Sequence, residues 1–135
     1  NIHTHSMDPC GRLLLSLFIL CIFFSTASAI AGTATYYTTY VPSSCYGYQD
    51  NGVMIAAASD PIFQNKAACG RTYRVSCTGA ANGGGNPCRG GSVTVKVVDL
   101  CPSPGCQATL DLSQEAFSAI ADTNAGKINI DYEQA

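Results

Sequence analysis

SVTVKVVDLCPSPGCQATLDLS, Ser92–Ser113, joins the most strand-like run of the chain to a cysteine-bracketed loop and then to a second carboxylate. Val93, Val95 and Val97 alternate with Thr94, Lys96 and Val98, the period-2 signature of a strand buried on one face, and β-branched side chains suit that pleated surface. Asp99 is expected where this strand leaves the sheet. Pro102, Pro104 and Gly105 exclude helix and regular strand, so residues 101–106 read as a turn that its own cysteines can clamp. A short strand follows and is expected to end at Asp111.

Downstream, Ser113 can cap a helix in which Ala116, Phe117, Ile120 and Ala121 form an apolar stripe, ending before Gly126. Residues 127–132 then alternate Ile128 and Ile130 inward with Asn129 and Asp131 outward, a closing strand. Upstream, three further strands are expected: GTATYYTTY at residues 32–40, a brief run at 53–58, and TYRVSC at 72–77. Residues 78–91 hold six glycines together with Asn82, Asn86 and Pro87, the composition of a surface loop. Several short strands and few helices predict a small β-barrel or sandwich.

Leu13 to Phe24 is an apolar run broken by Ser16 and Cys21, preceded by Arg12 and followed by Ala27-Ser28-Ala29. That is the pattern of a secretory leader, and the run is too short for a membrane anchor. Met7 is the expected start, so residues 1–29 are read as upstream sequence plus leader and residues 30–135 as one domain of about 106 residues. Both histidines, His3 and His5, precede that domain. Without an imidazole, Ser-His-Asp and Cys-His nucleophiles and His-ligated metals are excluded. Six Lys and Arg against eight acids recruit neither nucleic acid nor an anionic membrane.

Six cysteines remain, an even number that in a small secreted chain reads as three disulfides. Their spacings lack paired C-x2-C knuckles, which argues against zinc. Local geometry favours Cys77 with Cys88 across the glycine-rich loop and Cys101 with Cys106 across the turn, leaving Cys45 with Cys69. Fifteen pairings exist on paper.

Asp99 and Asp111 have the residue type of a glycosidase acid and base pair, each flanked by apolar neighbours that raise a carboxyl's pKa. An aspartate at a strand end also commonly caps a turn or the next helix. Tyr36, Tyr37, Tyr40, Tyr46 and Tyr48 crowd into 13 residues. Exposed tyrosines can stack on sugar rings, yet tyrosine is equally an ordinary strand and core residue. Arg71 and Arg74 suit a carboxylate or an acidic receptor patch, or simply solvent. Gly83-Gly84-Gly85 lacks the lysine and the helix of a phosphate cradle.

GTATYYTTYVPSSCYG, KAACGRTYRVSC, NPCRGGSVTVKVVDLCPSPGC, TLDLSQEAFSAIA and AGKINIDY follow one another through essentially the whole mature chain. Together they resemble the plant natriuretic peptide-like proteins, which belong with the barwin-like, family-45 endoglucanase-like domains related to the first domain of expansins. The resemblance implies an all-β fold, a six-stranded double-psi β-barrel with one or two short helices, stabilised by disulfides. It also implies secretion to the apoplast and a link to stress responses and to water and ion balance.

By the same resemblance Asp111, in TLDLS, takes the place of the aspartate in the expansin HFDLS motif, counterpart of the general acid of family-45 endoglucanases. Asp99 matches the other groove aspartate of microbial expansins, and Thr35 their groove threonine. Three departures stand against this. Thr109 and Leu110 replace the His and Phe of the motif, Cys101 replaces a groove aromatic, and Thr38 or Thr39 stands where the hydrolases carry their base. A threonine is no carboxylate base, so hydrolysis is not expected, and Asp111, Asp99 and Thr35 are residual groove candidates rather than firm catalytic residues. Expansins carry a second, aromatic-faced sugar-binding domain, whereas a single domain is expected here. In natriuretic-type relatives, signalling is ascribed to a stretch that aligns with Tyr40 to Arg74.

The resulting expectation is a monomeric, non-enzymatic signalling or stress-response protein acting on a plasma-membrane receptor through residues 45–74. The alternative is a binder of cell-wall polysaccharide, or a weakly glycan-active protein, using the Asp99 and Asp111 groove. Ligand contacts are expected at Tyr36, Tyr37, Tyr46, Arg71 and Arg74, with no cofactor, no metal and no membrane insertion of the mature chain.

Overall fold

The structure, a computed structural model, describes residues 21–22 and 28–135, so most of the expected leader lies outside the described residues. Six strands, β1 (Ile30–Tyr37), β2 (Ile55–Ser59), β3 (Thr72–Ala80), β4 (Val93–Cys101), β5 (Leu110–Ser113) and β6 (Ile128–Gln134), close into a barrel in the order β1-β5-β2-β4-β3-β6. The pairs β1 with β5 and β2 with β4 are parallel, and the other four are antiparallel. Among the described residues, closure leaves no free sheet edge. It also settles the choice between barrel and sandwich.

Alternation fills the interior. Ala34, Ala56, Ala58, Val75, Val93, Val95, Val97, Leu110, Leu112, Ile128 and Ile130 are buried, each on the inward phase of its strand. Helix α2 (Gln114–Ile120) adds Ala116, Phe117 and Ile120 from one face, the stripe read from the sequence. Ser113 is fully buried and still satisfied. Its Oγ accepts from the Ala116 amide at 3.0 Å as the N-cap and donates to the Val53 carbonyl.

Several expected boundaries move once strands find partners. β4 does not end at Asp99 but runs on to Cys101, because Asp99, Leu100 and Cys101 pair with Ala57, Ala58 and Ser59. β5 passes Asp111 to Ser113, since it is held by β1 on one side and β2 on the other. β3 enters the glycine-rich stretch as far as Ala80, where a register shift between Cys77 and Gly79 keeps it paired with β6. β1 begins at Ile30 and stops at Tyr37, short of Tyr40.

Disulfides Cys45–Cys69, Cys77–Cys88 and Cys101–Cys106 tie the loops to the barrel and fit a protein of an oxidising compartment. A short helix that no apolar period announces, α1 (Asp60–Phe63), starts after Ser59 with Pro61 in its first turn. It ends in three consecutive left-handed residues, Gln64, Asn65 and Lys66, with φ of 49°, 51° and 75°. Such backbone costs of order 1–3 kcal/mol per residue and persists only where its surroundings over-determine it. Here the Ala68 amide bonds the Phe63 carbonyl at 3.2 Å, and the next residue is the disulfide-bonded Cys69.

Candidate functional site

Simple alternation from Val93, Val95 and Val97 would aim Asp99 into the core. A bulge prevents this. Between Ala56 and Ala57 the β2–β4 register skips Val98, so Ala57 faces Asp99 rather than Val98. Bulges re-aim side chains in this way, often next to functional sites. Ala57 is also opposite Asp111, and Asp111 is opposite Thr35. Four neighbouring strands therefore carry one row on their outward phase: Thr35, Asp111, Ala57, Asp99. With strands about 4.8 Å apart, the two aspartates stand two strand spacings from each other, and the small Ala57 makes a low floor between them.

Each carboxylate is held differently. Asp111 Oδ1 accepts from Thr35 Oγ1 at 2.9 Å. Burial pushes the Asp111 carboxyl above its ordinary value; the Thr35 hydroxyl pulls it down, and the Asp99 charge pushes it up again. Asp99 is the one carboxylate that acts on it among the described residues. Asp99 Oδ1 accepts from the backbone N–H of Ser44 and of Leu100, both at 2.9 Å. The capping role weighed for these aspartates thus belongs to Asp99, which anchors the turn at Cys45.

Tyr37 lies two residues beyond Thr35 on the same face of β1. Its hydroxyl is buried without a hydrogen-bond partner among the described residues. Burial, then Asp99, then Asp111, then Tyr40 all push its pKa up. Its ring meets that of Tyr40 edge-on at 5.3 Å between centroids, and the Tyr40 hydroxyl donates to Glu115 and accepts from the Gln114 amide at 3.1 Å. Two carboxylates and the Tyr37 ring thus share one outward face of the barrel.

Of the residues expected to meet a ligand, Thr35, Tyr37, Asp99 and Asp111 come together. Tyr36 turns to the other face of β1 and packs on Phe117 at 5.0 Å. Tyr46 has Lys96 Nζ over its ring at 4.7 Å. Arg71 reaches Gln64 Oε1 at 3.4 Å, and Arg74 on β3 pairs with Glu133 across the β3–β6 ladder. These four lie outside the row. Ala57, Ser44 and Glu115 do not stand out in the sequence: an alanine, a loop serine and a helix glutamate carry no local signal until the ladder places them. Among the described residues no group of three or more His, Cys, Asp or Glu converges as a metal site.

A family model described as Lytic transglycolase, DPBB_1, matches residues 55–132, more than half of the chain. An EG45-like domain containing protein of Citrus jambhiri is 59% identical over 125 residues, covering 91% of this chain and 95% of its own length. Expansin-A19 of Oryza sativa subsp. japonica is 33% identical over 141 residues, covering 90% of this chain and 56% of the expansin. Among solved structures, the apo expansin of Clavibacter michiganensis superposes with a TM-score of 0.63 at 33% identity over 80% of this chain. This chain spans about half the length of that expansin (50%). A mutant of the same expansin, solved in complex with cellohexaose, gives a TM-score of 0.60 at 31% identity, again over 80% of this chain and 50% of the other. Barrel, disulfides and sequence agree on a double-psi β-barrel of the expansin and family-45 endoglucanase type. The chain belongs to the EG45-like family, with the expansins as its more distant relatives.

Proposed function

We propose that the protein binds neutral polysaccharide of the plant cell wall along the Thr35, Asp111, Ala57, Asp99 row and does not hydrolyse it. The observation that carries this reading is the row itself, two carboxylates on the outward phase of the barrel two strand spacings apart over the small Ala57, one held by Thr35 and the other by the Ser44 and Leu100 amides. A sugar hydroxyl can donate to either, because a carboxylate only accepts and a sugar hydroxyl both donates and accepts. The expansin solved with cellohexaose is a distant relative of this chain, which supports a glycan as the ligand.

Binding without hydrolysis is supported by the missing base: an inverting glycosidase needs a second carboxylate to activate water opposite its acid, and Thr38 and Thr39, just past β1, offer none. The test is retention on cellulose and xylan together with a reducing-sugar assay; retention without sugar release is expected, and release abolished in the Asp111→Asn variant would turn the reading into an enzyme. Tyr37→Phe is expected to leave the melting temperature equal or higher, because the buried hydroxyl that it removes has no partner among the described residues; a melting temperature several degrees lower would mean that the hydroxyl is satisfied.

A second reading, signalling through a cell-surface partner by way of residues 40–74, draws on a separate observation. Val41, Tyr48, Val53 and Met54 are exposed large hydrophobic residues, and all lie in that segment. Saturable binding to plasma-membrane fractions that survives excess cellohexaose would favour it over the glycan reading.

A further inference from the structure

The chain carries two Asn-Gly dipeptides, Asn51-Gly52 in the segment before β2 and Asn82-Gly83 just past β3. We infer that Asn82-Gly83 is a site of spontaneous deamidation, with water as its co-reactant, and that the fold protects Asn51-Gly52 from the same reaction.

The chemistry sets what each site must supply. The backbone nitrogen of the glycine attacks Cγ of the asparagine, and the new C–N bond closes a five-membered succinimide. The side-chain amide leaves as ammonia, carrying the proton that the backbone nitrogen gives up. Water then adds to either ring carbonyl and opens the ring, leaving an aspartate or an isoaspartate. Attack needs a glycine N–H free to lose its proton and an asparagine side chain free to swing onto it. Glycine favours the step because no Cβ stands in the way and its backbone has the widest range. The other asparagines of the barrel domain lack this help. Asn86 precedes Pro87, whose nitrogen has no proton to give, and Asn65, Asn124 and Asn129 precede residues that carry a Cβ.

At Asn51 both requirements are withheld. The Gly52 amide donates to Asp50 Oδ1 at 2.8 Å, Asn51 Nδ2 donates to the Gln49 carbonyl at 3.2 Å, and Asn51 Oδ1 receives Lys96 Nζ at 2.9 Å. Lys96 belongs to β4, so part of this hold comes from the barrel itself. Attack there must first break the bond of the nucleophile and both bonds of the side chain.

At Asn82 nothing comparable intervenes. β3 ends at Ala80, and Asn82, Gly83, Gly84 and Gly85 are exposed. The nearby side-chain hydrogen bonds run from the Cys88 amide to Asn86 and from Asn129 to the Ala80 carbonyl, on either side of the dipeptide. Among the described residues no backbone carbonyl accepts from the Gly83 amide. A Cβ on Gly83, Gly84 or Gly85 would meet nothing within 4 Å, so the backbone has room to turn as the ring closes. The product also has a distinct setting. Asn82 lines a pocket of about 350 Å³ in which Lys127 is the one lining cation, so the new carboxylate arises in the same pocket as an ammonium.

Peptide mapping by mass spectrometry after incubation of the full chain at mildly alkaline pH, with isoaspartyl methyltransferase labelling of the products, tests the assignment. In the folded, oxidised protein Asn82 is expected to gain one mass unit roughly tenfold or more faster than Asn51, the difference that two or three held hydrogen bonds make. Reduced and unfolded in urea, the two dipeptides should react alike. Asp50→Ala, a change at an exposed position that frees the Gly52 amide, should speed the reaction at Asn51 several-fold and leave Asn82 unchanged. Equal rates at the two sites in the folded protein, or an Asn82 that reacts only after unfolding, would overturn the inference. A rate at Asn51 unmoved by Asp50→Ala would overturn the protective role of the Asp50 contact.

Discussion

Replacing Cys45 and Cys69 together by alanine is expected to lower the melting temperature by roughly 10–20 °C, given a few degrees per kcal/mol for a domain of this size. The bridge closes a loop with a sequence separation of 24, for which the chain-entropy account gives about 3 kcal/mol. By the same account Cys101–Cys106, with a separation of 5, gives only about 2 kcal/mol, so its removal is the internal comparison. The larger loss should also be local. The bridge pins the turn that Asp99 anchors at Ser44 to the segment holding Gln64, Asn65 and Lys66 in left-handed backbone. Hydrogen exchange should therefore accelerate across residues 40–71 before it accelerates in β3 or β6, whose mutual ladder the bridge does not touch. Scanning calorimetry and exchange mass spectrometry under oxidising conditions measure both. A double variant as stable as the one lacking Cys101–Cys106, with uniform exchange, would show that the barrel holds this segment without the bridge.

That expectation depends on features of unequal legibility in the sequence. The valine alternation of β4, the capping Ser113 with its apolar stripe and the isoleucine alternation of β6 can be read directly, because each is a local period imposed by one buried face. The turn cysteines are similarly local. α1 and its left-handed exit are not, since Asn65 alone tolerates that backbone readily, while Gln64 and Lys66 adopt it under constraints that arrive from Phe63 and Cys69. The site is legible to the same degree. Asp99 and Asp111 stand out as carboxylates in apolar surroundings, whereas Tyr36 and Tyr37 are expected alike to meet a ligand and only the ladder shows that Tyr36 packs on Phe117 instead. The facing of Asp99 depends on the bulge at Val98, which no single-strand pattern encodes, and the floor of the row is an alanine that becomes informative only once β2 lies between β5 and β4.

Asp111→Asn is expected to separate stability from binding. Because burial raises the folded-state carboxyl above its ordinary value, the folded protein holds that proton more tightly than the unfolded chain does. Stability from this group therefore rises as pH falls through the raised value and levels off in the ordinary carboxylate range; at neutral pH the charged Asp111 is a net cost. The asparagine variant keeps a carbonyl to accept from Thr35 and has no charge to desolvate. Its melting temperature should exceed that of the unmutated protein at pH 7, and the gap should narrow toward pH 4. Cellohexaose affinity should move the other way. Hydrogen bonds to a charged partner contribute about 1.5–3 kcal/mol, so the variant should lose roughly 10- to 100-fold. Binding by the unmutated protein should weaken as Asp111 takes up its proton, whereas the variant should lack that titration. Calorimetric melting and glycan titration across pH 4 to 8 read both effects. A variant that binds normally would return Asp111 to barrel architecture, and one less stable at pH 7 would mean that the carboxylate is held by contacts outweighing its burial. The expected pattern, a carboxylate that costs stability and is required for binding, is the one in which a ligand site departs from what the fold alone prefers.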